Sequence, residues 1–186
     1  MIRPRPRIAT SGWLIPAAWH RMTATASPTS PTPCSASSGP YPSPTAPSQP
    51  GRGPQLAPDG GLGANGLKLH DGAVRVSNTQ LGTLLRIPIR PDGSAGPIQT
   101  IATGLAGIDD FAFTGAGHSA PVLAAINRFS TVVLIRPDGS QQTMLTAADG
   151  LSNPSSIAIR GGTVYVLSAA YLTQTDPDIL LGNLHR

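Results

Sequence analysis

The sequence predicts an all-β protein, a partial β-propeller of about three four-stranded blades behind a disordered N-terminal tail. Three observations carry that expectation. Composition divides the 186-residue chain in two, its second part repeats itself at a spacing near 46 residues, and each repeat reads as short strands.

Composition marks the first boundary. Residues 1–58 hold 13 of the 20 prolines and no carboxylate, the first acid being Asp59. The stretch from Ser27 to Pro58 is rich in Pro, Ser and Thr, with too few apolar residues to offset an ordering entropy of about 1–2 kcal/mol per residue. It is expected to be disordered with polyproline II character. The net charge of +4 divides into +5 for residues 1–58 and −1 for the remainder, where 8 basic residues face 9 Asp. The basicity therefore belongs to the tail, and no nucleic acid partner is expected.

Other absences narrow the chemistry. The chain contains no Glu, so any mechanism that needs one is excluded, and Cys34 stands alone and forms no intrachain disulfide. No apolar run approaches the roughly 18–20 residues of a membrane span. Arg3, Arg5, Arg7 and Arg21 resemble a transit peptide, and Trp13 to Trp19 followed by Ala24-Thr25-Ala26 resembles a signal sequence. Gly12 and Pro16 interrupt that stretch, so the targeting signal is weak. A linker or out-of-frame upstream translation is the favoured reading of the segment, leaving a secreted or a cytoplasmic location open.

The body, residues 59–186, is a repeat. Arg90-Pro91-Asp92-Gly93 recurs as Arg136-Pro137-Asp138-Gly139 and Gly104-Leu105 as Gly150-Leu151, each at 46 residues. Asn65-Gly66-Leu67-Lys68-Leu69 matches Asp109-Asp110-Phe111-Ala112-Phe113, and Ser155-Ser156-Ile157-Ala158-Ile159 follows. Within the first unit, Leu67/Leu69, Val74/Val76, Leu85/Ile87/Ile89 and Ile98/Ile101 are separated by turn signals at Asp71-Gly72, Gln80 to Gly82 and Pro91-Asp92-Gly93. The second unit repeats the pattern with Phe111/Phe113, Val122 to Ile126, Val132 to Ile135 and Thr143 to Leu145. The third supplies Ile157 to Ile159, Val164 to Leu167 and Ile179 to Leu184. Four strands per unit of this length is the propeller blade pattern. The blades are placed at about 63–105, 106–151 and 152–186. Closed propellers use 4 to 8 blades, so the body is expected to be a fragment of a larger ring, as a truncated gene product would be. Its unpaired strand edges invite self-association.

Several motifs have plain structural readings. Gly61-Leu62-Gly63-Ala64-Asn65-Gly66 fits the dinucleotide pattern, but a proline-rich tail precedes it and a strand follows, where the fingerprint needs a strand and then a helix. Its glycines are expected to serve tight backbone turns. Pro-Asp-Gly between strand runs is a turn signal and lacks the regular oxygen ligands of a calcium loop. His20, His70, His118 and His185 lack the paired spacing of a zinc site. There is no G-x-S-x-G elbow to support a serine nucleophile.

The repeat itself supplies a more informative constellation. Asn65, Asp109 and Ser155 occupy one equivalent position, two residues before the first apolar residue of each unit's first strand. In a propeller that strand lines the central channel, so the three side chains are expected to ring one mouth of it. Converging oxygen ligands suit a hard divalent cation, which polarises a carbonyl and activates water. As turn residues they would instead bond to neighbouring backbone.

These residues carry a resemblance. Gly63-Ala64-Asn65-Gly66-Leu67, Val76-Ser77-Asn78-Thr79, Gly82-Thr83-Leu84-Leu85-Arg86-Ile87, Asp92-Gly93 and Asp109-Asp110-Phe111 resemble the middle blades of the senescence marker protein/gluconolactonase/luciferin-regenerating enzyme-like family, over about residues 60–186. The resemblance implies a six-bladed, TolB-like propeller with a divalent metal (Ca, Zn or Mn) in its channel and hydrolysis of sugar lactones or related esters. It implies a metal-binding role for Asn65, and for Asp109 the roles of metal ligand and catalytic base, with Asp110 competing for the ligand assignment. The family's metal-binding Glu belongs to a first blade that this sequence lacks. Two functional readings follow: an inactive fragment or binding scaffold, and a metal-dependent hydrolase.

Overall fold

The computed structural model describes residues 53–184 together with the strand β1, His20–Met22. The first blade consists of β2 (Ala64–His70), β3 (Ala73–Asn78), β4 (Thr83–Pro88) and β5 (Gln99–Ala102). The second consists of β6 (Ile108–Phe113), β7 (Val122–Ile126), β8 (Thr131–Ile135) and β9 (Gln141–Leu145). The third contains β10 (Pro154–Arg160), β11 (Thr163–Ser168) and β12 (Asp178–Asn183). Each blade is an antiparallel four-stranded sheet, and the three form the expected partial propeller. Among the described residues no helix is long and apolar enough to cross a membrane.

The alternation and turns of the sequence account for most of these elements. Asp71-Gly72 and Gly161-Gly162 close the first hairpins of blades 1 and 3 with positive φ at all four residues, matching the right-handed twist of the flanking strands. The two Arg-Pro-Asp-Gly segments form the same turn. Gly93 N–H donates to Arg90 O at 2.9 Å and Gly139 N–H to Arg136 O at 2.9 Å, while Asp92 and Asp138 each accept from the backbone N–H two residues on. Ile89 lies beyond β4, in an isolated bridge with Ala95.

Two findings alter the expected boundary at residue 58. The outer strand of blade 3 comes from the N-terminal side of the chain: β1 pairs antiparallel with β12, His20 opposite Leu181 and Met22 opposite Ile179. These three residues, expected to be disordered, satisfy backbone groups that β12 would otherwise leave open. Residues 53–58 also belong with blade 1. Pro54–Leu56 forms a single 3₁₀ turn, and buried Asn78 Nδ2 donates to Gln55 O and Ala57 O, both at 2.9 Å. Leu56 packs on Val76, Leu85 and Ile87. The rest of the expected tail, including Cys34, lies outside the described residues.

Blades stack through the faces of their sheets, forming two seams. Between blades 1 and 2 lies a core containing Leu84, Leu105, Ile108, Phe111, Val122 and Ile135. Between blades 2 and 3 lies a larger one containing Leu123, Val132, Leu134, Ile157, Val166 and Leu180. Among the described residues, parts of the two outermost faces are exposed. Leu67 and Leu69 of blade 1 are 60% and 71% exposed, and Tyr165, Leu167 and Ile179 on the far side of blade 3 are exposed as well.

Candidate channel-mouth site

The first strands of blades 1 and 2, β2 and β6, lie side by side, and each carries a residue of the repeated polar position in its second place. Asn65 Nδ2 donates to Asp109 Oδ1 at 2.6 Å across the seam, and to Thr79 Oγ1 at 3.1 Å within its own blade. Thr79 Oγ1 donates in turn to Ile108 O at 2.8 Å. The other carboxylate oxygen, Asp109 Oδ2, accepts from Asn127 Nδ2 at 3.0 Å. Asn127 is buried, Asp109 half-buried and Asn65 exposed, so the cluster grades from protein interior to solvent.

Local backbone geometry makes this approach possible. Gly66 sits at a bulge, where the β2–β3 register shifts between Ala64 and Leu67. A Cβ there would lie 2.7 Å from Asp109 O and 2.9 Å from Ser77 Oγ. Ser77 Oγ instead receives Gly66 N–H at 2.8 Å and donates to Asp109 O at 2.9 Å, fastening the two strands together. Gly66 thus serves close packing within β2, where a tight turn was expected, and no helix follows the Gly-rich segment.

The two aspartates diverge. Asp109 joins the cluster, whereas Asp110 Oδ1 pairs with Lys68 Nζ at 2.8 Å and Asp110 Oδ2 accepts from Ser156 Oγ at 2.9 Å and Ile157 N at 3.2 Å. Asp110 therefore ties blade 2 to both neighbours. Ser155, the third member of the expected ring, is half-buried, and no hydrogen bond joins it to Asn65 or Asp109 among the described residues.

Three contributors escaped the sequence reading. Asn127 follows β7 as Thr79 follows β3, and repeat alignment alone hides this equivalence. The site residue precedes Thr79 by 14 positions but Asn127 by 18, because β6 and β7 are joined by eight residues where β2 and β3 are joined by two, while β6 and β7 are each one residue shorter. Asn153 supports Asn127 by donating from Nδ2 to its carbonyl at 3.1 Å, and its Oδ1 accepts from Leu172 N and Thr173 N at 3.1 and 3.2 Å. This holds the loop carrying Tyr171, whose phenol is pushed up by burial and by the nearby Asp109 charge. The same loop has positive φ at Ala170, Gln174 and Asp176, none of them glycine.

The donor set can be tested against the implied metals. One carboxylate, two side-chain amides and a hydroxyl are hard oxygen donors that suit Ca²⁺ or Mn²⁺, whereas structural and catalytic Zn²⁺ sites are dominated by Cys and His. Among the described residues no group of three or more His, Cys, Asp or Glu is placed to hold a metal ion. His70 packs face to face on Phe113 at 3.7 Å with its Nε2 against Gly117 O, His118 pairs with Asp71, and neither enters the cluster.

No family model matches the chain, and no curated protein matches it. Among solved structures it is similar to a luciferin-regenerating enzyme, with 13% sequence identity and a TM-score of 0.50. The alignment covers 66% of this chain and 45% of that one, so the chain spans less than half of that structure. At this identity the likeness shows the propeller fold alone.

Proposed function

We propose that this chain is a non-catalytic, gluconolactonase-like propeller scaffold, in which the channel-mouth cluster positions blades and polar ligands without turning them over. One observation carries the reading. Both oxygens of Asp109 accept amide hydrogen bonds, from Asn65 and Asn127, so the carboxylate that would serve as base is engaged on each side. The carboxylate thereby serves as a cross-blade acceptor that ties Asn65 to Asn127.

The hydrolase reading keeps one observation in its favour, the oxygen-rich character of the same cluster. Asn65 and Asp109 would hold Ca²⁺ or Mn²⁺, with the Asn65 amide turned to present Oδ1 and Asn127 fixing the Asp109 carboxylate. A bound cation would polarise a lactone or ester carbonyl and favour ionisation of water. Hydrolysis of a sugar lactone, measured with added Ca²⁺, Zn²⁺ or Mn²⁺, separates the readings. The scaffold predicts no rate above buffer and no stoichiometric sub-millimolar metal binding. A rate abolished by EDTA and by Asp109→Ala overturns it.

Exposed apolar residues on the two outermost faces support self-association of the chain. Leu67 and Leu69 on blade 1 and Tyr165, Leu167 and Ile179 on blade 3 are apolar surfaces of the kind that the internal seams bury. Size-exclusion chromatography is expected to show a dimer or larger species, and elution as a compact monomer overturns this.

A further inference from the structure

The seam between blades 1 and 2 differs from its neighbour at four matched positions. Antiparallel register places Lys68 opposite Arg75 and Arg75 opposite Arg86 in blade 1, and Ala112 opposite Leu123 and Leu123 opposite Leu134 in blade 2. Ser77 corresponds in the same way to Ala125. Ala112, Leu123, Ala125 and Leu134 all belong to the apolar core that faces blade 3. The same face of blade 1 therefore presents two arginines and a lysine to blade 2 where blade 2 presents hydrocarbon to blade 3.

Among the described residues only one of these cations has a carboxylate partner. Lys68 pairs with Asp110. Arg75 is 7% exposed, its Nε has no hydrogen-bond partner among the described residues, and its guanidinium lies 5.8 Å from the centre of the Phe113 ring. Arg86 Nη1 donates to neutral Gln99 Oε1 at 3.1 Å, and Arg136 Nη2 to neutral Gln142 Oε1 at 2.6 Å. None of the three arginines makes an ion pair within 4 Å among the described residues. All three line one cleft of about 200 Å³, with Phe113 and His118 on its wall and no carboxylate in its lining. The cleft lies at the far end of β2 and β6 from Asn65 and Asp109.

A buried, unpaired guanidinium beside a second one is costly. Arg75 is held below its usual range, first by desolvation and then by repulsion from Arg86. Buried charges persist where something compensates them, and planar guanidinium forks match oxyanions in geometry. Since a water molecule occupies about 30 Å³ of liquid, the cleft has room for an anion and a small organic group attached to it.

We propose that this cleft is a binding site for a phosphate-class oxyanion, held by Arg75, Arg86 and Arg136. The site is separate from the channel mouth and does not depend on whether the chain is a scaffold or a hydrolase. Arg75 supplies the buried charge-assisted contact, and Arg86 and Arg136 close on the anion from β4 and from the end of β8.

The test is thermal unfolding of the full chain in inorganic phosphate and in chloride at matched ionic strength, with calorimetric titration of phosphate alongside. Phosphate is expected to give a saturable rise in Tm of about 3 °C. Arg75→Leu, which installs the residue found at the matched position of blade 2, is expected to weaken phosphate binding by about tenfold or more while raising Tm in chloride. Should that variant not fold, Arg136→Gln, half-exposed at the rim, is expected to weaken phosphate binding by about threefold or more. Glycerol phosphate separates the two sources of the anion: tighter binding than inorganic phosphate assigns the site to a phosphorylated small molecule, and equal binding assigns it to the free anion. Equal Tm in phosphate and chloride, or wild-type phosphate affinity in both variants, overturns the proposal.

Discussion

The seam between blades 2 and 3 and the seam between blades 1 and 2 are built from the same repeat, with the same strand register, and differ in what they contain. Leu123, Leu134, Ala112 and Ala125 make the first continuous hydrocarbon, whereas Arg75, Arg86, Lys68 and Ser77 interrupt the second. In the apolar seam, removal of side chains from water is the adhesive, at about 25 cal/mol per Å². In the mixed seam part of that contribution is exchanged for ion pairs, backbone-directed hydroxyl contacts and an unneutralised cleft. The backbone repeat sets where a side chain points. The side chain then decides whether a seam serves cohesion or recognition.

Swapping a residue between the seams should have the largest effect. Leu123 is buried in the apolar cluster between blades 2 and 3, so Leu123→Arg is expected to cost about 4 kcal/mol or more through lost burial and a charge forced into hydrocarbon. Urea unfolding followed by circular dichroism measures it, and a loss below about 1 kcal/mol would mean that the two seams are interchangeable. The reverse swap, Arg75→Leu, carries the opposite sign.

A smaller effect is expected where one residue serves both seams. Asp110 receives Lys68 from blade 1 and Ser156 and Ile157 from blade 3, so Asp110→Ala unpairs a cation in one seam and a backbone N–H in the other. The lysine is 38% exposed, which discounts the ionic part. A loss of about 2 kcal/mol is expected, with Asp110→Asn recovering about half because an amide oxygen still accepts the blade 3 hydrogen bonds. Equal losses for Ala and Asn would assign the effect to charge alone.

These contrasts also show which features a sequence exposes. Strand positions were legible because each run alternates and ends at a turn dipeptide that fixes φ, as at Asp71-Gly72 and at the two Pro-Asp-Gly segments. Asn65 and Asp109 were legible because the repeat superposes them, and the structure places them 2.6 Å apart. Asn127 was not, because the longer β6–β7 connection moves it four places out of step. Strand β1 was not, because His20-Arg21-Met22 has no alternation of its own and its pairing is set by the free edge of β12. Arg75 and Arg86 stand 11 positions apart in the chain, and only antiparallel register makes them neighbours.

The smallest effect should arise where the seams agree. The turns at Asp92 and Asp138 have the same sequence and the same bonds, each carboxylate accepting from the following serine N–H at 2.9 Å. Side-chain and then backbone contacts to Ser94 and Ser140 hold both carboxyls below their ordinary value of 3.8. Because the folded value lies below the unfolded one, each turn contributes stability that is fully present above the unfolded pKa and is lost as pH falls through the folded pKa. Both side chains are exposed, so solvent and salt screen the contribution. Asn in place of each Asp retains the oxygen that accepts from serine and removes the titration. The Asp92→Asn, Asp138→Asn double variant is therefore expected to lose less stability than the parent between mildly and strongly acidic pH, with matching behaviour at neutral pH. Carboxyl titrations followed by NMR should give two superimposable curves for Asp92 and Asp138. A clear offset between them would show that the charge asymmetry of the seams, concentrated on the side of Arg75 and Arg86, reaches the turns as well.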